Sequence, residues 1–207
     1  MWLSKYGREW LAKPVEWIVA WLHRLGVTPN AVTYTSFVLT VGTALLLATG
    51  YFIAGGLILI FASLLDLIDG SLARATGQSS TFGAFIDSTL DRYSESVTFG
   101  ALAYYYAAVD SQPLMVLLVF ATIVGSLMVS YTRARAEGLN IECKEGWLQR
   151  PERIFALIVG LLTGWMLPVL ALLAIGTNLT AIQRIYQVYW KIQEAETARG
   201  LALQKEP

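Results

Sequence analysis

Four aspartates are the residues of this chain best suited to do chemistry. They lie in the stretch DLIDGSLARATGQSSTFGAFIDSTLD as two groups, Asp66/Asp69 and Asp87/Asp91, on either side of a short polar segment. On a helix, spacings of three and four residues bring side chains to one face. Asp66, Asp69 and Ala73 therefore share one stripe, and Gly83, Asp87 and Asp91 share another. If the polar segment 75–82 is a tight turn, the stripes face each other and four carboxylates converge at one end of a helical hairpin. Like charges packed together need something to cancel them. All-oxygen ligands suit hard divalent cations such as Mg²⁺ or Mn²⁺, and four carboxylates suffice for two ions. Gly70 and Gly83 sit beside the acids without side chains, so a ligand can approach the backbone there. Arg74, one turn beyond Asp69 and Gly70, is a candidate for binding phosphate oxygens. Helix caps and loop charges account for most isolated aspartates, but not for four at this spacing between strongly apolar flanks.

The elements that must hold these acids are membrane-type helices. Of 207 residues, 56% are hydrophobic and only 14% charged, against roughly 25% charged in soluble domains. Apolar runs near the length needed to cross a bilayer, about 20 residues, fall near 31–50, 53–74, 82–108, 113–134, 152–167 and 169–187, the last two separated by a turn around Pro168. The expected fold is all-α, a polytopic bundle of six transmembrane helices. With the N-terminus inside, the outer loops near 51, 109–112 and 168 contain no Lys or Arg, and all 15 basic residues fall at the cytoplasmic side. This topology puts both termini and the aspartates at the cytoplasmic face of the cell membrane. The formal net charge is zero, which gives no electrostatic support to nucleic-acid binding.

Residues 2–24 are amphipathic, with Trp2, Tyr6, Trp10, Trp17 and Trp21 recurring along one stripe and Lys5, Arg8, Lys13 and Arg24 off it. Such a helix lies in the membrane interface, divided or kinked at Pro14. No cleavable signal peptide is expected, because the segment lacks a continuous apolar core and a small-residue cleavage site. His23 reads as an interfacial polar residue. Cys143 is the sole cysteine, so neither an intrachain disulfide nor a zinc site is expected. Thr28 is placed to cap the first span, with Pro29 as its first helical residue. Glu95 continues the Asp87/Asp91 ladder and is expected to pair with an arginine. Arg133, Arg153 and Arg184 end three different spans at one membrane level and are candidates to line a pocket for an anionic substrate. The chain divides into an amphipathic segment 1–24, a six-helix domain 25–190 and a polar tail 191–207.

The pattern Asp66-x2-Asp69-Gly70-x2-Ala73-Arg74-x8-Gly83-x3-Asp87-x3-Asp91 resembles the signature of the CDP-alcohol phosphatidyltransferase family at every fixed position. The resemblance covers roughly residues 25–190. It implies two Mg²⁺ or Mn²⁺ ions per subunit held by Asp66, Asp69, Asp87 and Asp91, a CDP-diacylglycerol donor, and a homodimer in the membrane. It also implies contacts to the CDP-lipid from Pro29, Asn30, Gly70, Ala73, Arg74, Ser80 and Gly83. Asp87-Ser-Thr-Leu-Asp91-Arg92, the block Tyr131-x-Arg-Ala-Arg-Ala-Glu137, Arg150-Pro-Glu-Arg153 and Gln183-Arg184 together resemble the phosphatidylinositol phosphate synthase branch. There, residues matching Arg133, Arg153 and Arg184 hold the phosphate of inositol phosphate. The chain departs from that branch in carrying arginine where lysine is usual at 133, and in its loop 138–148.

The reaction this implies is transfer of the phosphatidyl group to inositol phosphate or a similar phosphorylated polyol, with release of CMP. Asp91 acts as both ligand and general base. Alternatives are another acceptor such as glycerol phosphate, or an ether-linked (archaeal) donor. A cation transporter is the reading from another class, because intramembrane carboxylates often mark ion pathways.

Overall fold

The structure is a computed structural model that describes residues 15–143 and 145–203, with side chains to residue 197. Trp2, Tyr6, Trp10 and Pro14 of the N-terminal stripe lie outside the described residues. Those described form helices, without a strand among them. α1 spans 15–24; α2 is Pro29–Ala48, α3 Phe52–Ala75, α4 Thr81–Tyr104, α5 Pro113–Glu137, α6 Arg150–Thr163 and α7 Met166–Leu203.

Local chemistry sets the helix ends. Thr28 is extended (φ −84°, ψ 149°), and its Oγ1 accepts the Ala31 N–H at 3.3 Å, so α2 starts at Pro29 as expected. α4 runs on into a π-helical turn, Tyr105–Val109, closed by the Asp110 N–H donating to the Tyr105 carbonyl at 2.9 Å. The break between the last two helices differs from the expected turn at Pro168. It lies at Gly164, which takes the left-handed conformation (φ 78°) that ends α6. Pro168 instead sits in the first turn of α7, where a missing N–H costs no helical hydrogen bond. α7 then continues without a break to Leu203.

Among the described residues, four segments are long and apolar enough to cross a membrane: α2, α3, α5 and Met166–Thr197 of α7. α4 carries Asp87, Asp91, Arg92 and Glu95, and α6 has only 14 residues. Large apolar side chains such as Val38, Leu45, Phe61, Phe120 and Ile175 point outward along the four, as lipid contact demands.

α2 packs against both α3 and α4, α5 runs along α7, and α6 bridges α3 and α7. The main apolar core gathers Leu47, Leu59, Phe99, Leu102, Val119, Leu161, Leu170 and Leu173. A second cluster joins Val19 of α1 to Val32, Ile68 and Leu72. Between helices the cohesion is partly polar, as expected where lipid offers no hydrophobic drive for association. Ser36 Oγ donates to the Ala62 carbonyl at 2.8 Å, and Asn178 Nδ2 to the Ala121 carbonyl at 3.0 Å.

The α5–α7 seam is closely packed at Gly125. A Cβ on Gly125 would collide with Thr177 Oγ1, and it would lie 2.7 Å from Asn178 Nδ2. Gly125→Ala is therefore expected to cost about 1–3 kcal/mol by overpacking. Gly100, where a Cβ meets nothing within 4 Å, tolerates the same change. Thermal unfolding in detergent checks both, with a lowered midpoint expected for the first variant only.

Candidate active site

The hairpin expected around the acids forms. α3 ends at Ala75, Gly77 turns the chain with φ 67°, and Ser80 starts α4 by accepting the Gly83 N–H on its Oγ at 2.9 Å. This turn brings Asp66 and Asp69 of α3 against Asp87 of α4. One carboxylate oxygen from each lies within 4.8 Å of the others. Asp69 is 4% exposed; its Oδ2 accepts from Thr33 Oγ1 at 2.6 Å and its Oδ1 from the Gly70 N–H. Three converging carboxylates, with no sulfur or nitrogen ligand in the group, fit a hard divalent cation such as Mg²⁺ or Mn²⁺.

Asp91 is not part of that triad. Arg150, the first residue of α6, binds both it and Asp66, and the two carboxyls also lie against each other. Arg150 Nη1 lies 2.6 Å from Asp66 Oδ2, Nη2 3.3 Å from Asp66 Oδ1, and Nη2 2.8 Å from Asp91 Oδ1. Arg92 Nη1 approaches Asp91 more loosely, at 3.5 Å. So three of the four acids form the triad, and the fourth adjoins it at Asp66, the two bridged by one guanidinium.

Two polar pockets open on either side of this cluster. The smaller, about 200 Å³, is lined by all seven residues singled out for the CDP-lipid: Pro29, Asn30, Gly70, Ala73, Arg74, Ser80 and Gly83. Asp69 and Asp87 form its acidic wall, and Thr33, Gln78, Ser79 and Ala84 complete it. A Cβ on Gly83 would come 2.9 Å from Ser80 Oγ and 3.6 Å from Asn30 Oδ1, so the missing side chain helps keep this pocket open. Arg74 Nη2 donates to Ser71 Oγ at 3.2 Å and remains largely exposed.

The larger cavity, about 970 Å³, contains Asp91 together with Arg92, Arg133, Arg150, Arg153 and Arg184. The three arginines expected to share a pocket do share one, but their surroundings differ. Arg133 is the least constrained, paired with Glu137 at 2.8 Å and 42% exposed. Arg184 is buried, donating from Nε to the Glu145 carbonyl at 3.0 Å and from Nη1 to the Val129 carbonyl. Arg153 is 2% exposed and locked to Glu95, Nε to Oε1 at 2.6 Å and Nη2 to Oε2 at 2.8 Å. Its Nη1 also donates to the Leu148 carbonyl at 3.1 Å. This is the pairing expected for Glu95. An arginine has five N–H donors, so each still has donors left for an anion.

Two site residues escaped the sequence reading. Thr33 lies one turn beyond Pro29, on the face that meets α3, where its hydroxyl fixes Asp69. Arg150 opens α6, and a signal for it was present. A cation at a helix N-terminus is disfavoured by the helix dipole, so an arginine there implies an acidic partner elsewhere.

The Glu95–Arg153 pair is buried on both sides, at 10% and 2% exposure. Glu95→Gln leaves a buried guanidinium without its counter-charge and is expected to destabilise by about 3–5 kcal/mol. Replacing both partners, Glu95→Leu with Arg153→Met, is expected to cost less than Glu95→Gln or Arg153→Met alone. Thermal unfolding of the three variants in detergent decides this.

The chain is similar over most of its length to proteins with named activities. It is 36% identical to phosphatidylinositol phosphate synthase of Corynebacterium glutamicum, across 88% of this chain and 87% of that one. It is 37% identical to archaetidylinositol phosphate synthase of Pyrococcus horikoshii, across 92% and 98%. Among solved structures, phosphatidylinositol phosphate synthase of Mycobacterium tuberculosis with CDP-DAG bound matches with a TM-score of 0.79 at 30% identity, covering 84% of this chain and 93% of that one. The same enzyme in complex with manganese and citrate matches with a TM-score of 0.78 at 31% identity, covering 83% and 87%. The family model for CDP-alcohol phosphatidyltransferases matches residues 26–186, and the chain belongs to that family.

Proposed function

We propose that this protein transfers the phosphatidyl group of CDP-diacylglycerol to inositol phosphate, giving phosphatidylinositol phosphate and CMP. One observation carries the reading: two polar pockets meet at the acidic cluster, one walled by Asp69 and Asp87 and the other arginine-rich with Asp91 on its wall. In this reading the smaller pocket takes the nucleotide and diphosphate, contacted by Pro29, Asn30, Gly70, Ala73, Arg74, Ser80 and Gly83. Arg133, Arg153 and Arg184 hold the acceptor phosphate in the larger one, since guanidinium groups bind phosphate through paired N–H donors.

Asp66, Asp69, Asp87 and Asp91 are the metal ligands. Bound there, two Mg²⁺ or Mn²⁺ ions supply Lewis-acid stabilisation of charge on the diphosphate. Asp91 also accepts the proton of the acceptor hydroxyl. The hydroxyl oxygen forms a bond to the phosphorus that carries diacylglycerol. The bond from that phosphorus to the CMP oxygen breaks, and its electron pair leaves with CMP. No enzyme nucleophile is needed for this direct displacement.

The same reading has α2–α7 cross the cell membrane six times, with 25–190 as the catalytic domain and α1, in the segment 1–24, at the interface. Trp17 and Trp21 are exposed at 71% and 53% on α1, and Trp165 at 70% in the turn after α6, which suits aromatic residues at headgroup depth. The clustering of basic residues at the active-site end of the helices supports cytoplasmic termini and a cytoplasmic site. The polar residues 191–207 extend from the last span, and the functional unit is a homodimer.

An ether-linked donor is the second reading, favoured by the similarity to the Pyrococcus enzyme. Purified full-length protein with CDP-diacylglycerol and Mg²⁺ is expected to release CMP with inositol phosphate, and not with inositol, glycerol phosphate or serine. Turnover with glycerol phosphate instead would retain the mechanism and reject the acceptor. Turnover with the ether-linked donor alone would reject the diacyl lipid. Asp91→Asn is expected to lower the rate about 10²–10⁴-fold, as loss of a general base does. EDTA is expected to abolish turnover, and added Mg²⁺ or Mn²⁺ to restore it.

A further inference from the structure

We propose that Arg150 is a tethered cation that balances Asp66 and Asp91 in the metal-free enzyme and competes with a metal ion for them. The inference rests on the metal-dependent reading above. Its ground is the position of the guanidinium. Arg150 Nη1 and Nη2 lie 2.6 and 3.3 Å from the two oxygens of Asp66, and Nη2 lies 2.8 Å from Asp91. Asp66 is thus claimed twice, by Arg150 and by the triad with Asp69 and Asp87. Asp91 is held by the same guanidinium, with its carboxyl also against that of Asp66. An ion bound by Asp66 and Asp91 must compete with Arg150 for their oxygens.

Three further features favour a counter-ion that can be displaced over a fixed strut. Arg150 Nε is buried and has no hydrogen-bond partner, so the side chain is not fully satisfied where it stands. The residue opens α6, where the helix dipole repels a cation, and its contacts to Asp66 and Asp91 offset that repulsion. It also lines the cavity of about 970 Å³, which gives its flexible side chain somewhere to go without moving the helix. A divalent ion brings twice the charge to the same carboxylates, and the guanidinium is then repelled from the place that had attracted it.

The two roles differ in sign. A strut that orients Asp66 and Asp91 helps metal binding, so its loss weakens it. A competitor opposes metal binding, so its loss strengthens it. Full-length protein in detergent, stripped with EDTA, is titrated with Mn²⁺ alone, and free Mn²⁺ is followed by electron paramagnetic resonance. Wild type is expected to bind a tighter and a weaker ion. In Arg150→Gln the weaker ion tightens by about tenfold or more, as removal of an adjacent positive charge predicts. Arg150→Lys, which keeps the charge but loses the planar fork, falls between the two. In EDTA, Arg150→Gln melts below wild type, and saturating Mn²⁺ closes the gap. If Arg150→Gln does not fold, Arg150→Lys decides on the same titration, with tighter binding than wild type expected.

Weaker or unchanged Mn²⁺ binding in the variants, or a melting gap that persists at saturating Mn²⁺, overturns the competitor role. Wild type would then still bind Mn²⁺ and release CMP. A wild type that binds no Mn²⁺ rejects the metal-dependent reading itself, and this inference with it.

Discussion

Carboxylates packed at the end of an apolar helical bundle repel each other, and that repulsion organises what surrounds them. Asp66, Asp69 and Asp87 sit within 4.8 Å of one another, at a depth where water can screen them only in part. Compensating groups meet them, in part from other elements. Thr33 of α2 and the Gly70 N–H serve Asp69, and Arg150 of α6 serves Asp66 and Asp91. The α3–α4 hairpin brings the acids together, while α2 and α6 make the convergence tolerable. Remove the counter-charges and the hairpin becomes a source of strain.

Below the acids the polar layer continues into the bundle. A chamber of about 30 Å³ is lined by Ser36, Thr40, Ser63, Ser94 and Thr98 along with Asp66, Glu95, Arg150 and Arg153. Side chains of α2, α3, α4 and α6 line it, Leu59, Phe99 and Leu157 of the main apolar core among them. Glu95 and Arg153 close it as a bidentate pair, and a buried pair of this kind is retained more readily for specificity than for stability. Here it ties α4 to α6. The same α6 face presents Arg150 to the acids one turn earlier, so the Glu95–Arg153 lock sets where Arg150 can reach.

Much of this was legible in the residues, because the signals were periodic and local. The stripes at Asp66/Asp69 and Asp87/Asp91, the Thr28–Pro29 start and the helices near each apolar run all follow from spacing and capping. What escaped depended on contacts between distant elements. Nothing local to Thr33 says that it faces Asp69, and nothing local to Arg150 names Asp66, 84 residues away, as its partner. The turn expected at Pro168 erred because proline is tolerated in a first helical turn, whereas Gly164 could take the left-handed conformation that ends α6. Arg153 and Arg184 were expected near an anion, and they do share one cavity. Their burial against Glu95 and the Val129 and Glu145 carbonyls was not visible without the fold.

That burial bears on how the larger cavity can select an anion. Arg153 and Arg184 are held by partners on α4, α5 and the loop before α6, so their remaining donors point from fixed positions. Arg133 is half-exposed and paired only with Glu137 one turn on, and it can adjust. Two rigid donors and one mobile one suit a phosphate that must enter, be oriented and leave as part of a lipid. On the opposite side of the acids, the smaller pocket is shaped by backbone and small side chains at Gly70, Ala73 and Gly83. In the proposed reaction the two substrates therefore approach the acids from different sides. That arrangement lets an acceptor hydroxyl and a departing CMP lie on opposite sides of one phosphorus, as a direct displacement requires.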